Sequence, residues 1–179
     1  MLGKKAQVSA PFELMVAVIL MTFVILAGLY AMNTLEKQKC ENEVNKELEE
    51  LKEAIELIAK GKGQHLVSFE LPGCAQRNTE VKIVTHTDPY LCNILCGGSK
   101  TVCIVLTFDA EGVSSMVKCL EISPLTQFAP DSCACPEDDY NLAKGWQTGN
   151  IQQGTYLITS GYAVGGGTPI VCPCIKVEG

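Results

Sequence analysis

The sequence predicts an α+β protein in which a long N-terminal α-helix, with an apolar half and an amphipathic stalk, is packed on a disulfide-stapled, mainly antiparallel β head domain. Three observations support this fold class. Residues 14–32 form an uncharged apolar run, and residues 40–58 carry apolar side chains at helical spacing. The remaining chain alternates runs of β-branched residues with turn residues, which is typical of strands.

The apolar run (LMVAVILMTFVILAGLYAM) is long enough to cross a membrane. About 18 or more such residues, rising about 1.5 Å each in a helix, span a hydrocarbon core of about 30 Å. A core helix of a soluble protein would have a polar face at helical spacing, and this run has none. Lys4 and Lys5 are the only positive charges before it, so the positive-inside rule predicts a cytoplasmic N-terminus and an external head.

The helix is expected to continue beyond the apolar run, because the charged stretch that follows contains neither Pro nor Gly before Gly61. Its apolar residues recur at intervals of three or four and therefore share one face. This stalk stripe consists of Cys40, Val44, Leu48, Leu51, Ile55 and Ile58. We expect one helix over about residues 11–60, with Gly61 and Gly63 as its C-terminal stop.

The remaining chain is expected to form the β head. Six runs rich in β-branched residues predict strands at residues 65–72, 80–87, 101–108, 113–122, 154–164 and 168–177. The DAEG sequence at Asp109–Gly112 predicts a hairpin turn, and the glycine-rich residues 161–167 predict a turn or bulge between strands. Residues 123–150 carry three prolines and are expected to form a long irregular excursion.

The chain has ten cysteines, all beyond the apolar run, and their even number predicts a disulfide framework in an oxidising compartment. They are Cys40, Cys74, Cys92, Cys96, Cys103, Cys119, Cys133, Cys135, Cys172 and Cys174. Cys40 lies on the stalk stripe and is expected to bond to a cysteine of the head. The other pairings stay open, because spacing alone does not determine connectivity.

A metal site is the alternative for the closely spaced pairs Cys133/Cys135 and Cys172/Cys174. Four thiolates could hold zinc or an iron centre, but such sites more often place two residues between paired cysteines. We therefore favour five disulfides and expect neither a metal nor a cofactor.

The residues also argue against catalysis and nucleic-acid binding. The net charge of −6 provides no basic patch. Residues 161–167 (GYAVGGG) lack the serine of a nucleophile elbow and the lysine of a phosphate loop. Trp146 and Tyr140 could line a surface ligand site, although core packing or filament contact is favoured. We expect a protein that is not an enzyme.

The N-terminal motif places a possible cleavage site before the apolar helix rather than after it. The apolar helix is preceded by the sequence KKAQVSAPFEL, which begins with Lys4, Lys5, Ala6 and Gln7. This arrangement resembles the class III signal peptide of archaeal type IV pilin-like proteins. The resemblance implies cleavage between Ala6 and Gln7 by a prepilin peptidase-like enzyme, with the helix retained as the core of a filament.

The expected organisation follows from this resemblance and from the patterns above. Residues 1–6 would be a leader, and residues 7–60 the long helix, with its apolar half at 12–32 and its stalk at 33–60. Residues 61–179 would form the globular β-rich head.

Glu13 has two competing interpretations. The resemblance implies that its carboxylate neutralises the new amino terminus of a neighbouring subunit inside an apolar bundle. Many family members carry this acid at the fifth mature position, however, whereas Glu13 would be the seventh. Alternatively, Ser9 caps the helix, Pro11 lies in the first turn and Glu13 is stabilised there by the helix dipole.

These inferences predict a structural subunit of an extracellular type IV pilus-like filament, serving adhesion. Its partners would be copies of itself, the membrane before assembly and the processing enzyme. The assembly residues would be Glu13, Leu14, Val18, Ile25 and Leu29. The alternative is a membrane-anchored extracytoplasmic binding domain that does not polymerise.

Overall fold

The computed structural model describes residues 9–61, 63–98, 100–136, 139–162 and 168–177, and the side chains of residues 9–11 and 162 are not among those described. The predicted processing residues Lys4, Lys5, Ala6 and Gln7 lie outside the described residues, as does most of the glycine-rich segment 161–167. The described chain confirms the predicted fold class, with one long N-terminal helix and antiparallel sheets.

Helix α1 spans Ser9–Ala59 as one continuous element. It continues through the charged stretch because no proline or glycine interrupts residues 29–60. It ends where Gly61 adopts a positive φ of 79°, a conformation that glycine tolerates best. The Gly61 N–H donates a hydrogen bond of 2.9 Å to the Ile58 carbonyl, so the predicted C-terminal stop at Gly61 is confirmed.

The chain divides into two compact units, residues 1–39 and residues 40–179. The described part of the first unit is the N-terminal portion of α1 alone. The second unit contains the remainder of α1 together with every described strand. The division coincides with Cys40, which is the first buried residue among the described side chains of the helix.

Eight strands and a second helix follow α1 in the described chain. In order, they are β1 Gln64–Phe69, β2 Glu80–His86, α2 Pro89–Cys96, β3 Cys103–Ala110, β4 Val113–Leu120, β5 Gln127–Phe128, β6 Tyr140–Leu142, β7 Gly154–Tyr162 and β8 Pro169–Lys176. Short 3-10 turns cover Gly73–Ala75 and Lys144–Trp146. All six predicted strand segments therefore contain a strand.

The strands form two sheets. One sheet has the order β1-β7-β8-β5, with β6 also pairing with β8, and the other has the order β2-β3-β4. The pairings are antiparallel except for the parallel contact between β5 and β8. The DAEG hairpin is confirmed, because Ala110 pairs with Val113 across the turn at Glu111 and Gly112.

Besides the two 3-10 turns, two short strands and one helix were not predicted. Strands β5 and β6 lie within the proline-containing excursion, where two or three residues give no periodicity to read. Helix α2 has a recognisable start, since Pro89 follows Asp88 and the Asp88 carboxylate accepts a 2.8 Å hydrogen bond from the Tyr90 N–H. An Asp-Pro pair opening a helix is a standard N-terminal signal, so this element could have been found from the sequence.

The stalk stripe is buried, as its spacing predicts. Cys40 is 6% exposed, and the other five stripe residues are fully buried. They belong to the same core cluster as Phe69, Phe108 and Ile158 from the two sheets. Burying an aliphatic side chain is worth about 1.5–3 kcal/mol, so this stretch of α1 is an integral part of the core of the second unit.

Candidate assembly helix and disulfide-bonded head

The apolar half of α1 exposes large side chains around its whole circumference. Every residue from Phe12 to Lys39 is exposed. Within residues 12–32, the exposed fraction of the large apolar side chains runs from 37% at Val16 to 77% at Tyr30. Consecutive residues of a helix point in different directions, so no side of this segment is covered by the described chain.

This segment has the length and composition needed to cross a membrane. Its most apolar 18-residue window has a mean hydropathy of 2.6, and none of that window is buried. The core helix of a soluble protein would be mostly buried, so the exposure argues against that alternative. The helix is therefore a candidate membrane anchor or signal segment.

Two threonine hydroxyls in and just beyond the apolar half are hydrogen-bonded within the helix. Thr22 Oγ1 donates to the Val18 carbonyl at 2.8 Å. Thr34 Oγ1, just beyond residue 32, donates to the Tyr30 carbonyl at 2.9 Å. A hydroxyl bonded to its own helix needs no water, so both threonines are compatible with a dry environment of lipid or packed helices.

The four apolar residues proposed for assembly lie on one face of α1. Leu14, Val18, Ile25 and Leu29 are spaced by four, seven and four residues, which returns the helix to nearly the same direction each time. All four are more than half exposed. They form a continuous apolar strip that the described chain does not cover.

Glu13 is exposed on α1. Helix α1 begins at Ser9 among the described residues and has no acidic residue in its first turn. Glu13 therefore lies beyond the first turn, which weakens the interpretation that it stabilises the helix start through the dipole. The cap assigned to Ser9 concerns a side chain outside those described.

All ten cysteines form disulfides, and the predicted count of five is confirmed. The pairs are Cys40–Cys74, Cys92–Cys103, Cys96–Cys119, Cys133–Cys172 and Cys135–Cys174. Cys40 bonds to a head cysteine, as expected from its place on the stalk stripe. Cys133, Cys135, Cys172 and Cys174 bond to one another, so these cysteines provide no thiolates for the four-sulfur metal site considered above.

The disulfides attach the less regular segments to the sheets. Cys92 and Cys96 lie one turn apart on α2 and connect it to β3 and β4. Cys172 and Cys174 are two residues apart on β8, so their side chains lie on the same face of that strand. Together they hold the loop containing Cys133 and Cys135 against the sheet, which gives a proline-containing loop a defined position.

A charged cluster joins α1 to β4 within the second unit. The Glu49 carboxylate accepts hydrogen bonds from Lys52 at 2.8 Å and from Lys118 at 2.9 Å. These two partners lower the pKa of Glu49, and the bond to Glu49 raises the pKa of Lys52. Glu56 Oε1 also accepts a 2.8 Å bond from the Glu121 N–H. Each group has a structural partner, which indicates a positioning role for the cluster.

The two aromatic residues that could line a surface ligand site occupy different environments. Trp146 is 2% exposed and lies between Phe128 and Tyr156, at ring-centroid distances of 6.4 and 5.4 Å. Its assignment to the core is confirmed. Tyr140 is half-buried in β6.

Comparison with known proteins adds no relative: no family model, no curated protein and no solved structure matches this chain. The fold and the site nevertheless define a class of protein. It combines an exposed apolar N-terminal helix with a head built from antiparallel sheets and five disulfides. Disulfides in this number indicate an oxidising, extracellular location for the head.

Proposed function

We propose that this chain is a structural subunit of an extracellular type IV pilus-like filament, inserted in the membrane before assembly and polymerising through the apolar half of α1. The observation that carries the proposal is the exposure of apolar side chains on every side of residues 12–32. Each such side chain gains about 1.5–3 kcal/mol when it leaves water. A surface of this kind needs a cover, either lipid or copies of the same helix.

Self-association provides that cover outside the membrane. A contact between different patches of identical subunits propagates when its rotation does not close a ring, and the product is a helical filament. Leu14, Val18, Ile25 and Leu29 would lie in such contacts, because they form one exposed strip. The resemblance of Lys4, Lys5, Ala6 and Gln7 to a class III signal peptide supports the same assignment.

The head would form the outer surface of the filament and serve adhesion. Its five disulfides suit exposure outside the cell, since each closes a loop and restricts the unfolded chain. The buried stalk stripe gives the second unit its own core, which includes part of α1. Subunit contacts are therefore assigned to the apolar half and surface recognition to the head.

The second candidate is a membrane-anchored binding domain that does not polymerise. The observation favouring it is the length of the uncharged run at residues 14–32, which suffices for a single membrane crossing. Both candidates require the helix to insert in a bilayer. They differ in whether the helix also binds copies of itself.

A charge placed in the apolar strip separates the two candidates. We expect Val18→Asp and Ile25→Asp to abolish filaments observed on cells by negative-stain microscopy, because a carboxylate cannot be buried unpaired among apolar helices. Val18→Leu is the matched control and should assemble normally. Alkaline extraction of membranes checks that the Asp variants still insert.

Two results would contradict the filament proposal. One is the absence of filaments from cells producing the unmodified protein, which would favour the simple anchor. The other is filament formation by a chain beginning at Leu35, which lacks the apolar half and is expected to stay soluble and monomeric by light scattering. Assembly would then depend on the head.

A further inference from the structure

Strand β1 forms one edge of its sheet, because it pairs with β7 on one side and with no described strand on the other. The Ser160 N–H donates to the Gly63 carbonyl at 3.1 Å. Hydrogen-bonded pairs alternate along an antiparallel ladder, so the odd-numbered residues of β1 bond to β7. The backbone N–H and C=O groups of residues 64, 66 and 68 therefore face away from β7.

This outward edge of β1 faces α1. The next outward group along the chain, the Glu70 N–H, donates to the Glu47 carboxylate of α1 at 3.4 Å. The outward backbone groups of residues 64, 66 and 68 make no hydrogen bond within the described chain, and all three residues are exposed. A row of unpaired backbone donors and acceptors is a template for a further strand.

The usual protection of an edge strand is missing from β1. Proteins commonly protect such edges with Lys, Pro, a bulge or a covering element. Residues 64–69 (QHLVSF) contain neither Lys nor Pro, and their register with β7 runs without a shift. On the edge of the other sheet, by contrast, the Ser114 hydroxyl of β4 donates to Glu41 of α1 at 2.6 Å. Helix α1 is thus bonded to β4 but is separated from β1 by a groove.

The groove between β1 and α1 has a volume of about 450 Å³. Ligand sites commonly measure about 300–1,000 Å³. Its walls are residues 65–68 of β1 and one face of α1 between residues 50 and 57. All of these residues belong to the second unit. Any role of the groove is therefore independent of polymerisation.

The groove presents apolar side chains beside the open edge. Leu66 of β1 is 58% exposed, and Leu57 of α1 is half-buried. The buried Ala54 lies in the same wall of α1. A strand added to β1 would cover these side chains as well as the backbone groups, so apolar residues are expected in its sequence.

The groove also carries negative charge. Glu50 and Glu53 of α1 line it, and both are exposed. Glu50 forms a surface pair with Lys46 at 3.4 Å, whereas Glu53 has no hydrogen bond or ion pair within the described chain. Opposite charge is therefore expected in the occupant. A second copy of this chain fits less well, because its net charge is −6 and pairing β1 with β1 would bring two acidic grooves together.

We propose that the open edge of β1 binds an extended peptide segment of a partner protein, one that alternates apolar and basic residues, and adds it to the sheet as a further strand. The main chain of the segment pairs with residues 64, 66 and 68, and a lysine or arginine of the segment faces Glu53. In strand addition, main-chain hydrogen bonds give affinity and the neighbouring side chains give specificity. The proposal assigns a recognition site to the head whether or not the protein polymerises.

The first test uses the full chain in micelles of an uncharged detergent at low ionic strength. The probe is a fluorescein-labelled peptide of sequence VKVKVKV, and its binding is followed by fluorescence anisotropy. We expect saturable binding of this peptide and none of the acidic peptide VEVEVEV.

Two N-methylated forms of the basic peptide test the main-chain pairing. One form is methylated on the valine nitrogens and the other on the lysine nitrogens, so each blocks the N–H groups along one edge of the strand. One of the two forms should bind about tenfold or more weakly than the unmethylated peptide, because its N–H groups face β1. The other form should bind nearly as well as the unmethylated peptide.

A charge reversal tests the assignment to the groove. Glu53 is exposed, so Glu53→Lys should leave the fold intact and weaken binding of VKVKVKV about fivefold. Glu36→Lys is the matched control, since Glu36 is exposed on the same helix and lies outside the groove. It should bind as the unmodified protein does.

Four results would overturn the proposal. They are no binding of the basic peptide, equal binding of the acidic peptide, equal binding of the two N-methylated forms, and unchanged binding by Glu53→Lys. Dimers of the unmodified chain that the basic peptide dissociates would also overturn it, because the edge of β1 would then belong to a contact with a second copy.

Discussion

Cys40 of α1 is bonded to Cys74 of the 3-10 turn that follows β1, with their Cα atoms 6.2 Å apart. Cys40 is also the first buried residue among the helix side chains that the structure describes, and it is the first residue of the second compact unit. The disulfide therefore fixes the stalk to the head at the point where burial of the helix begins.

Removal of this disulfide should destabilise the head without abolishing its fold. The bond closes a sequence separation of 34 residues, and the chain-entropy model assigns such a loop about 3–4 kcal/mol. We expect the Cys40→Ser, Cys74→Ser double variant to lose about that much free energy of unfolding in a guanidinium titration of the detergent-solubilised chain. An unchanged midpoint would show that the bond does not constrain the unfolded state.

The stalk stripe should be energetically part of the head core. Ile55 is fully buried in the second unit. Ile55→Ala should therefore cost about 2–5 kcal/mol through lost burial and the cavity left behind. Ile94 on α2 is 62% exposed, so Ile94→Ala is the control and should change the free energy of unfolding by less than about 0.5 kcal/mol. Equal effects of the two substitutions would contradict the core assignment.

The charged cluster should make stability fall in acid. Hydrogen bonds from Lys52 and Lys118 lower the pKa of Glu49 below its usual 4.5. The unfolded chain therefore takes up a proton at Glu49 before the folded chain does. The stabilisation is present above about pH 4.5 and is lost as the pH falls through the folded-state pKa. Because the Glu49 side chain is 37% exposed, solvent screening limits the effect to about 1 kcal/mol or less.

This acid dependence can be measured by thermal unfolding between about pH 3 and pH 6. Glu49→Gln should be less stable than the unmodified protein at pH 6, and the difference should shrink towards pH 3. Glu53→Gln changes an exposed glutamate one turn away and should retain the unmodified pH dependence. If Glu49→Gln differed from the unmodified protein by the same stability at every pH, the titration of Glu49 would not be the cause of the acid dependence.

Processing is predicted to leave Gln7 as the N-terminal residue of the surface-exposed protein. The prediction depends on Lys4, Lys5 and Ala6 preceding the apolar helix, as in the leader that they resemble. Intact-mass spectrometry of protein sheared from cells should show the loss of residues 1–6. A terminus at Met1 or Leu2 would contradict the peptidase assignment and favour the simple anchor.

The sequence predicted the elements whose local pattern is strong. The stalk stripe repeats at intervals of three or four residues over five turns, and each of its members proved to be buried. Runs such as TVCIVLTF predicted strands because β-branched residues fit a pleated surface. The short strands β5 and β6 carry no comparable pattern, since a strand of two or three residues has no period to detect.

The candidate site was likewise predicted only in part from the sequence. The absence of charged residues was enough to predict that residues 14–32 form an apolar segment. The structure further shows that no other described element covers this segment. The open edge of β1 could not be foreseen from the sequence. It depends on the pairing of β1 with residues 154–159 of β7, which are distant along the chain.

The sequence by itself determined the helix, its two chemically different halves, the six main strands and the number of disulfides. Each follows from short-range periodicity, local composition or a count of residues. Only the tertiary structure decided which cysteines bond, how the strands are ordered and which edge of β1 stays open. Cys133 meets Cys172 because the loop containing Cys133 lies against β8, and that contact joins residues far apart in the chain. Such long-range contacts depend on how the whole chain packs, which no local pattern specifies.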